Sequence, residues 1–205
     1  MEHHDPAASR MERKKEENRQ KIIATAMGLF GQHGYDATTM EQIAAAADIA
    51  KGTLYNYFPV KEAILDAFIK QSFKERNAER IARMHALPDT RSRMIQMLTD
   101  LMAGVANQPV IFEKYFIYRI QNMIALRQDE STHSGLISLE QAILELGQQS
   151  GELRADLPQA LLLALIEFVF IEVAQQYYRA PETFKASQTI EDCVDLFMNG
   201  AASRS

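Results

Sequence analysis

A single cysteine, Cys193, leaves this chain of 205 residues without any possible internal disulfide and fits a reducing compartment. With nothing basic near it in sequence, it reads as a small packing residue and not as a reactive thiol. No apolar run stands within residues 1–21, so no signal peptide is expected. The most apolar stretch, Ala160 to Val173, is cut by Glu167 and Glu172 and is too short to span a bilayer. A cytoplasmic protein with no membrane partner is therefore expected. Six prolines and nine glycines, mostly at boundaries, favour helices joined by short connections. His33, His85 and His133 are scattered, no glycine-rich phosphate loop is present, and no serine or cysteine sits in a nucleophile setting. That pattern argues against an enzyme. Met1 and His3 have the groups for adventitious copper chelation, but His3 and His4 lack matching ligands at useful spacing, so neither a metal nor another cofactor is expected.

Excess positive charge is also missing. The net charge is −5, which argues against non-specific coating of nucleic acid. The acid is unevenly placed: residues 1–61 carry eight Lys+Arg against eight Asp+Glu, whereas residues 62–205 carry fourteen against nineteen. A local basic face on the N-terminal part remains compatible with the total. With 47% hydrophobic and 24% charged residues, the composition is that of a globular chain.

What is present is concentrated between Thr39 and Lys61. Thr39 can cap a short helix, with Gln42 as its capping-box partner, and Met40, Ile43, Ala44 and Ala47 follow at helical spacing. Asp48 tolerates the left-handed backbone of a tight turn, and Ile49 supplies an apolar plug. A second helix from about Lys51 to Tyr57 stops before Pro59. Its inward residues are Leu54 and Phe58. Lys51, Gly52, Thr53, Tyr55 and Tyr57 remain as a surface suited to a major groove: lysine neutralises phosphate, threonine reaches a base edge or a thymine methyl, tyrosine hydroxyls reach the backbone, and glycine permits close approach. By spacing alone, an ordinary helical hairpin with exposed tyrosines is an equal reading.

Thr39, Ile43, Ala44, Ala47, Lys51, Gly52, Thr53, Leu54, Tyr55, Tyr57, Phe58, Lys61 and Glu62 resemble the signature of the TetR family of one-component bacterial repressors. Arg19, Ile22, Ala26, Leu29, Phe30, Gly34, Tyr35 and Thr38 continue the pattern upstream. The resemblance implies an all-α protein: an N-terminal three-helix helix-turn-helix DNA-binding domain, then a C-terminal helical ligand-binding and dimerisation domain. It also implies DNA contacts from Thr39, Lys51, Gly52, Thr53, Tyr55, Tyr57 and Lys61. Three departures stand out. Asp48 replaces the usual turn glycine, Ala50 the usual capping serine or threonine, and Val60 a frequent serine. Either Ala50 leaves the second helix uncapped or Asp48 takes over the cap.

The expected layout is a flexible arm over residues 1–16, the helix-turn-helix domain over 17–61, and the second domain over 62–205. The charged run Arg10 to Lys21 reads as a solvated helix face, and its helix ends at Gly34. One long helix is expected from Lys61 to about His85, ended by Leu87-Pro88-Asp89. Further helices follow from Thr90, from Phe112 and from Leu136, with a polar turn over Gln128 to Thr132. Asp156, Leu157 and Pro158 predict the capped start of the next helix. That helix is apolar on nearly all sides and must be buried from more than one direction. With the last helix, closed by Gly200, it resembles the family's dimerisation pair, with Leu162, Ile166, Val169, Phe170, Val194 and Phe197 as candidates for a homodimer interface.

The resemblance further implies a small-molecule effector site. Met97, Met102, Phe112, Tyr115, Phe116, Met123 and Phe168 suit an adaptable wall for an apolar or amphipathic ligand. Glu113, Glu167 and Glu172 lie near this set and default to solvent. The reading is a dimeric repressor bound to an inverted-repeat, double-stranded DNA operator and released by its effector. The alternatives are an activator, or a regulator acting through a protein partner on the same scaffold.

Overall fold

The computed structural model describes residues 6–124 and 135–201, within which ten helices are found. They are α1 (Pro6–His33), α2 (Met40–Ala46), α3 (Lys51–Tyr57), α4 (Lys61–Glu75), α5 (Asn77–Ala86), α6 (Thr90–Asn107), α7 (Pro109–Ile124), α8 (Gly135–Gln149), α9 (Gln159–Arg179) and α10 (Ala186–Ala201). The chain forms two compact units. One comprises Met1–Ile69 with Glu113–Leu126, the other Lys70–Phe112 with Arg127–Ser205.

In the first unit, α1 buries Ile22, Ile23, Ala26 and Phe30 at helical spacing and stops at Gly34, whose φ of +84° is one that side chains disfavour. Helix is already present at Pro6, so the boundary expected after residue 16 is not a break in secondary structure. Residues 11–17 are exposed, and Arg13 pairs with Glu17 across one turn at 3.5 Å, as a solvated helix face requires. Met40, Ile43, Ala44, Ala47, Leu54 and Phe58 close the core against α1, joined by Ile64 and Leu65.

The second unit is built on α6, which buries Met94, Met97, Leu98, Leu101, Met102 and Val105 and packs against α8, α9 and α10. Arg93, also buried, donates from Nε to the Met84 carbonyl at 3.0 Å and from Nη2 to the Leu87 carbonyl at 2.9 Å. It thereby ties down the end of α5, adding a second donor to the Met84 carbonyl, which already accepts from the Leu87 amide, and satisfying that of Leu87. Asp89 caps α6 by accepting from the Ser92 amide at 2.7 Å. In α8, a Cβ on Gly147 would lie 2.5 Å from Thr90 Oγ1 and 2.8 Å from Leu153 Cδ1. Gly147→Ala is therefore expected to cost about 1–2 kcal/mol through overpacking, read from the urea midpoint.

Four local expectations are corrected. The helix expected over Lys61 to His85 is two helices, broken at Arg76, where ψ is 8°. Residues 74–80 run Lys-Glu-Arg-Asn-Ala-Glu-Arg, with no large apolar side chain to hold one helix face against a core. Asp156 does not cap α9: its carboxylate accepts from Arg154 Nη2 at 2.7 Å, and Pro158 occupies the cap position without a side-chain bond. Gly200 lies inside α10 and does not close it. Finally, α9 has 21 residues and holds an 18-residue window with a mean hydropathy of 1.6, so by length and composition alone it reaches the size of a membrane span, longer than the stretch read from Ala160 to Val173. Its Leu162, Ile166, Phe170 and Val173 are nevertheless buried within the second unit. The turn expected over Gln128 to Thr132, and the groups of Met1, His3 and His4, lie outside the described residues.

Candidate nucleic-acid interface

Residues 39–58 form the expected pair of short helices. Thr39 Oγ1 accepts from the Gln42 amide at 3.2 Å, and Gln42 Oε1 accepts from the Thr39 amide at 2.8 Å, completing the capping box. Thr39 thus serves as a cap first, and its side chain also hydrogen-bonds the neighbouring Glu41 carboxylate. Asp48 adopts a φ of +53°, the left-handed conformation for which the usual residue is glycine.

Ala50 begins α3 with extended backbone (φ −64°, ψ 143°) and no side-chain cap, so Asp48 does not take over. Because that backbone already suits a capping residue, Ala50→Ser is expected to stabilise the first unit by about 0.5–1 kcal/mol, measured by thermal unfolding.

Leu54, fully buried, and Phe58 at 3% exposure fix the rotation of α3. Lys51, Gly52 and Tyr55 are then exposed, and Thr53 and Tyr57 half-buried at the edges of the same surface. Asn56, absent from the sequence reading, is exposed as well. It stands two residues from Leu54, about 200° around the helix, which is the outermost position. That phase was readable from Leu54 alone, and an asparagine there has the donor and acceptor pair that matches adenine.

Two lysines behave differently. Lys51 Nζ sits 2.5 Å from Glu41 Oε1 on α2 and 5.8 Å from the centre of the Tyr55 ring. The shared hydrogen bond and charge hold the Glu41 carboxyl below its usual range and the Lys51 ammonium above its own. Lys61, expected to face phosphate, instead points inward. Its Nζ donates to the Tyr35 carbonyl at 2.8 Å and the Thr38 carbonyl at 2.7 Å, and lies 4.4 Å from the Tyr35 ring centre. Around it, Thr38 donates to the Gly34 carbonyl at 2.8 Å, and burial, aided by Glu62, pushes the Tyr35 hydroxyl well above its ordinary range. Lys61 therefore ties the start of α4 to the loop between α1 and α2.

Of the residues assigned to an effector pocket, Met97 and Phe168 border different cavities. Met97 and Met102 are buried in the second unit, where Phe112 packs near Gly104, whereas Tyr115 and Phe116 are buried in the first. Met97 borders a small cavity of about 10 Å3 with Phe73, Arg80, Asp100, Leu101 and Leu139. Phe168 is 56% exposed. The Met123 side chain lies outside the described residues.

Of the residues assigned to dimerisation, Leu162, Ile166, Phe170, Val194 and Phe197 are spent on the protomer's own core, and Val169 is half-buried. The apolar surface that remains on these helices is Leu161, Leu165, Phe168 and Leu196. With Leu157, Val169 and Cys193, the last three border a groove of about 440 Å3 between α9 and α10. Burial, with the charges of Glu172 and Asp192, raises the Cys193 thiol above its usual range, in keeping with a packing role.

The profile of bacterial regulatory proteins of the tetR family matches residues 22–68. The fatty acid metabolism regulator protein of Bacillus subtilis (strain 168) is 26% identical over 184 residues, covering 88% of this chain and 93% of the relative. The transcriptional repressor KstR of Rhodococcus jostii is 32% identical over 100 residues, 47% of this chain and 45% of the relative. Among solved structures, the Thermus thermophilus repressor FadR in complex with lauroyl-CoA superposes with a TM-score of 0.71 at 22% identity, covering 91% of this chain and 96% of that one.

Proposed function

Because the chain belongs to the TetR family of bacterial regulators, which are DNA-binding proteins and not enzymes, we propose that it is a dimeric transcriptional repressor whose α3 reads an inverted-repeat operator. The observation that carries this reading is the surface of α3: once Leu54 and Phe58 are buried, Lys51, Gly52, Tyr55 and Asn56 are left to solvent on a helix of seven residues. Thr53 and Tyr57 flank them, and Thr39 stands at the start of α2. One such helix reads too few base pairs for specificity, whereas two related by a dyad read half-sites about 34–36 Å apart. The exposed apolar residues of α9 and α10 supply the two-fold contact.

The effector in this reading is an amphipathic acyl compound, with a long apolar chain and a polar head. Its support is the kind of protein the chain resembles, a fatty acid regulator in Bacillus subtilis and a lauroyl-CoA complex in Thermus thermophilus, together with the methionine-rich α6. Methionine side chains repack around irregular apolar ligands at little cost. Coupling between effector and operator of about 1–3 kcal/mol suffices for release. It passes along α4, which starts beside the DNA-reading helices and continues to Glu75. The protein acts in the cytoplasm without metal, cofactor or membrane.

Selection of genomic fragments on the purified protein, followed by sequencing, tests the assignment. Enrichment of an inverted repeat that is lost on adding lauroyl-CoA is the expected result. No enrichment at low salt overturns DNA reading, and enrichment insensitive to acyl-CoA overturns the effector class alone.

A further inference from the structure

Resting on that DNA-reading assignment, we propose that Glu41 is an internal stand-in for DNA phosphate, holding the Lys51 ammonium in the free protein until the nucleic acid displaces it. Lys51 is the one charged residue of α3, so its availability decides how much positive charge the recognition helix brings to a phosphate. It is not available by default. Glu41, in the first turn of α2, contacts it at 2.5 Å, and the Tyr55 ring stands 5.8 Å from the same ammonium. The capping of α2 does not require an acid at this place, because Thr39 and Gln42 complete the capping box between them.

Both partners are more than half exposed, at 60% and 54%, so the ion pair does little for folding. Its consequence lies in binding. Non-specific affinity for duplex DNA comes almost entirely from cations that release counterions from phosphate, and an ammonium already paired with a carboxylate brings no net charge. A phosphate must therefore compete with Glu41 for Lys51, and after displacement Glu41 remains as an anion near the duplex. The pair lowers affinity for arbitrary sequence and reserves Lys51 for a site where the rest of α3 also fits.

Competition through Lys51 differs measurably from simple repulsion between Glu41 and DNA. The experiment is a double-mutant cycle, Glu41→Gln, Lys51→Ala and both together, with binding to a mixed-sequence duplex followed by fluorescence anisotropy from 0.1 M to 1 M salt. Glu41→Gln is expected to steepen the slope of log K on log salt by about 0.9 for each reading head, a gain of roughly eightfold per head between 1 M and 0.1 M. In the Lys51→Ala background the same substitution is expected to have less than about a third of that effect. An equal effect in both backgrounds overturns the proposal, leaving Glu41 as a repelling charge with no hold on Lys51. Failure of the native protein to bind duplex DNA at 0.1 M salt would overturn the DNA-reading assignment itself and this inference with it. Unchanged thermal unfolding of Glu41→Gln separates the effect from folding.

Discussion

Phe168→Glu combined with Leu196→Glu is expected to turn the dimer into a folded monomer and to abolish retention of the operator at concentrations where the native protein saturates it. Phe168 and Leu196 are 56% and 76% exposed, so neither change disturbs the packing of Leu162, Ile166, Phe170 and Val194 inside the protomer. In the proposed dimer the same two side chains enter an apolar interface. There each lost hydrophobic contact costs about 1.5–3 kcal/mol and each uncompensated carboxylate several more. The two-fold axis doubles every term. A loss of only about 4 kcal/mol already raises the dimer dissociation constant by roughly a thousandfold. DNA affinity falls further because the second half-site is no longer presented at high effective concentration. Sedimentation velocity and gel shift read the two effects, and circular dichroism verifies the fold. Val110→Glu and Ile117→Glu, at residues 51% and 47% exposed on α7, serve as the control and are expected to leave the dimer intact. A dimer that survives the α9–α10 changes would place the interface elsewhere.

The two apolar faces of α9 show what sequence periodicity can and cannot settle. On α9, Leu162, Ile166, Phe170 and Val173 repeat at helical spacing, but so do Leu161, Leu165 and Phe168, one residue out of phase and about 100° around the helix. Two apolar stripes with the same period cannot be told apart by pattern. Only the neighbours on α8 and α10 decide which stripe becomes core. The amphipathic α10 gives a similar result at Leu196, which lies beside the buried Phe197 and Val194 and points away from them.

The reading head was far more legible, because its signals are local. The capping box at Thr39 and Gln42, the left-handed Asp48, the stop at Gly34 and the inward Leu54 and Phe58 each follow from the chemistry of a few adjacent residues. Interactions between elements were not legible. Glu41 and Lys51 are ten residues apart on different helices, and nothing in their spacing announces a pair. Methionines and aromatics at helical spacing mark the core of α6 and α7 as readily as the wall of a pocket, and the burial of Met97, Met102, Tyr115 and Phe116 is compatible with either.

Lys61 is the strongest case of a motif residue whose part is set by where its side chain turns, and Lys61→Met is expected to cost the head about 2–4 kcal/mol. A lysine at the start of α4, next to the recognition helix, has two destinations open to its long stem: outward to phosphate, or back across the unit. The ammonium takes the second, donating to the Tyr35 and Thr38 carbonyls 26 and 23 residues earlier in the chain. Hydrogen bonds from a charged donor contribute about 1.5–3 kcal/mol each, and the Tyr35 ring beneath it adds about 0.5–1 kcal/mol. Partial access of the carbonyls to water offsets some of the loss. Methionine keeps much of the stem but no donor, so the loop between α1 and α2 loses its tie to α4. The two roles predict opposite measurements. If Lys61 neutralised phosphate, Lys61→Met would leave the melting temperature unchanged and reduce the slope of log K on log salt by about 0.9 per head. As an internal tie it is expected to lower the melting temperature and to weaken operator binding at all salt concentrations alike, with the slope preserved. The same experiment with Lys51→Ala is expected to give the converse, a flatter slope at unchanged stability, because Lys51 is held at the surface by one exposed carboxylate whereas the half-buried Lys61 is bonded to two backbone carbonyls.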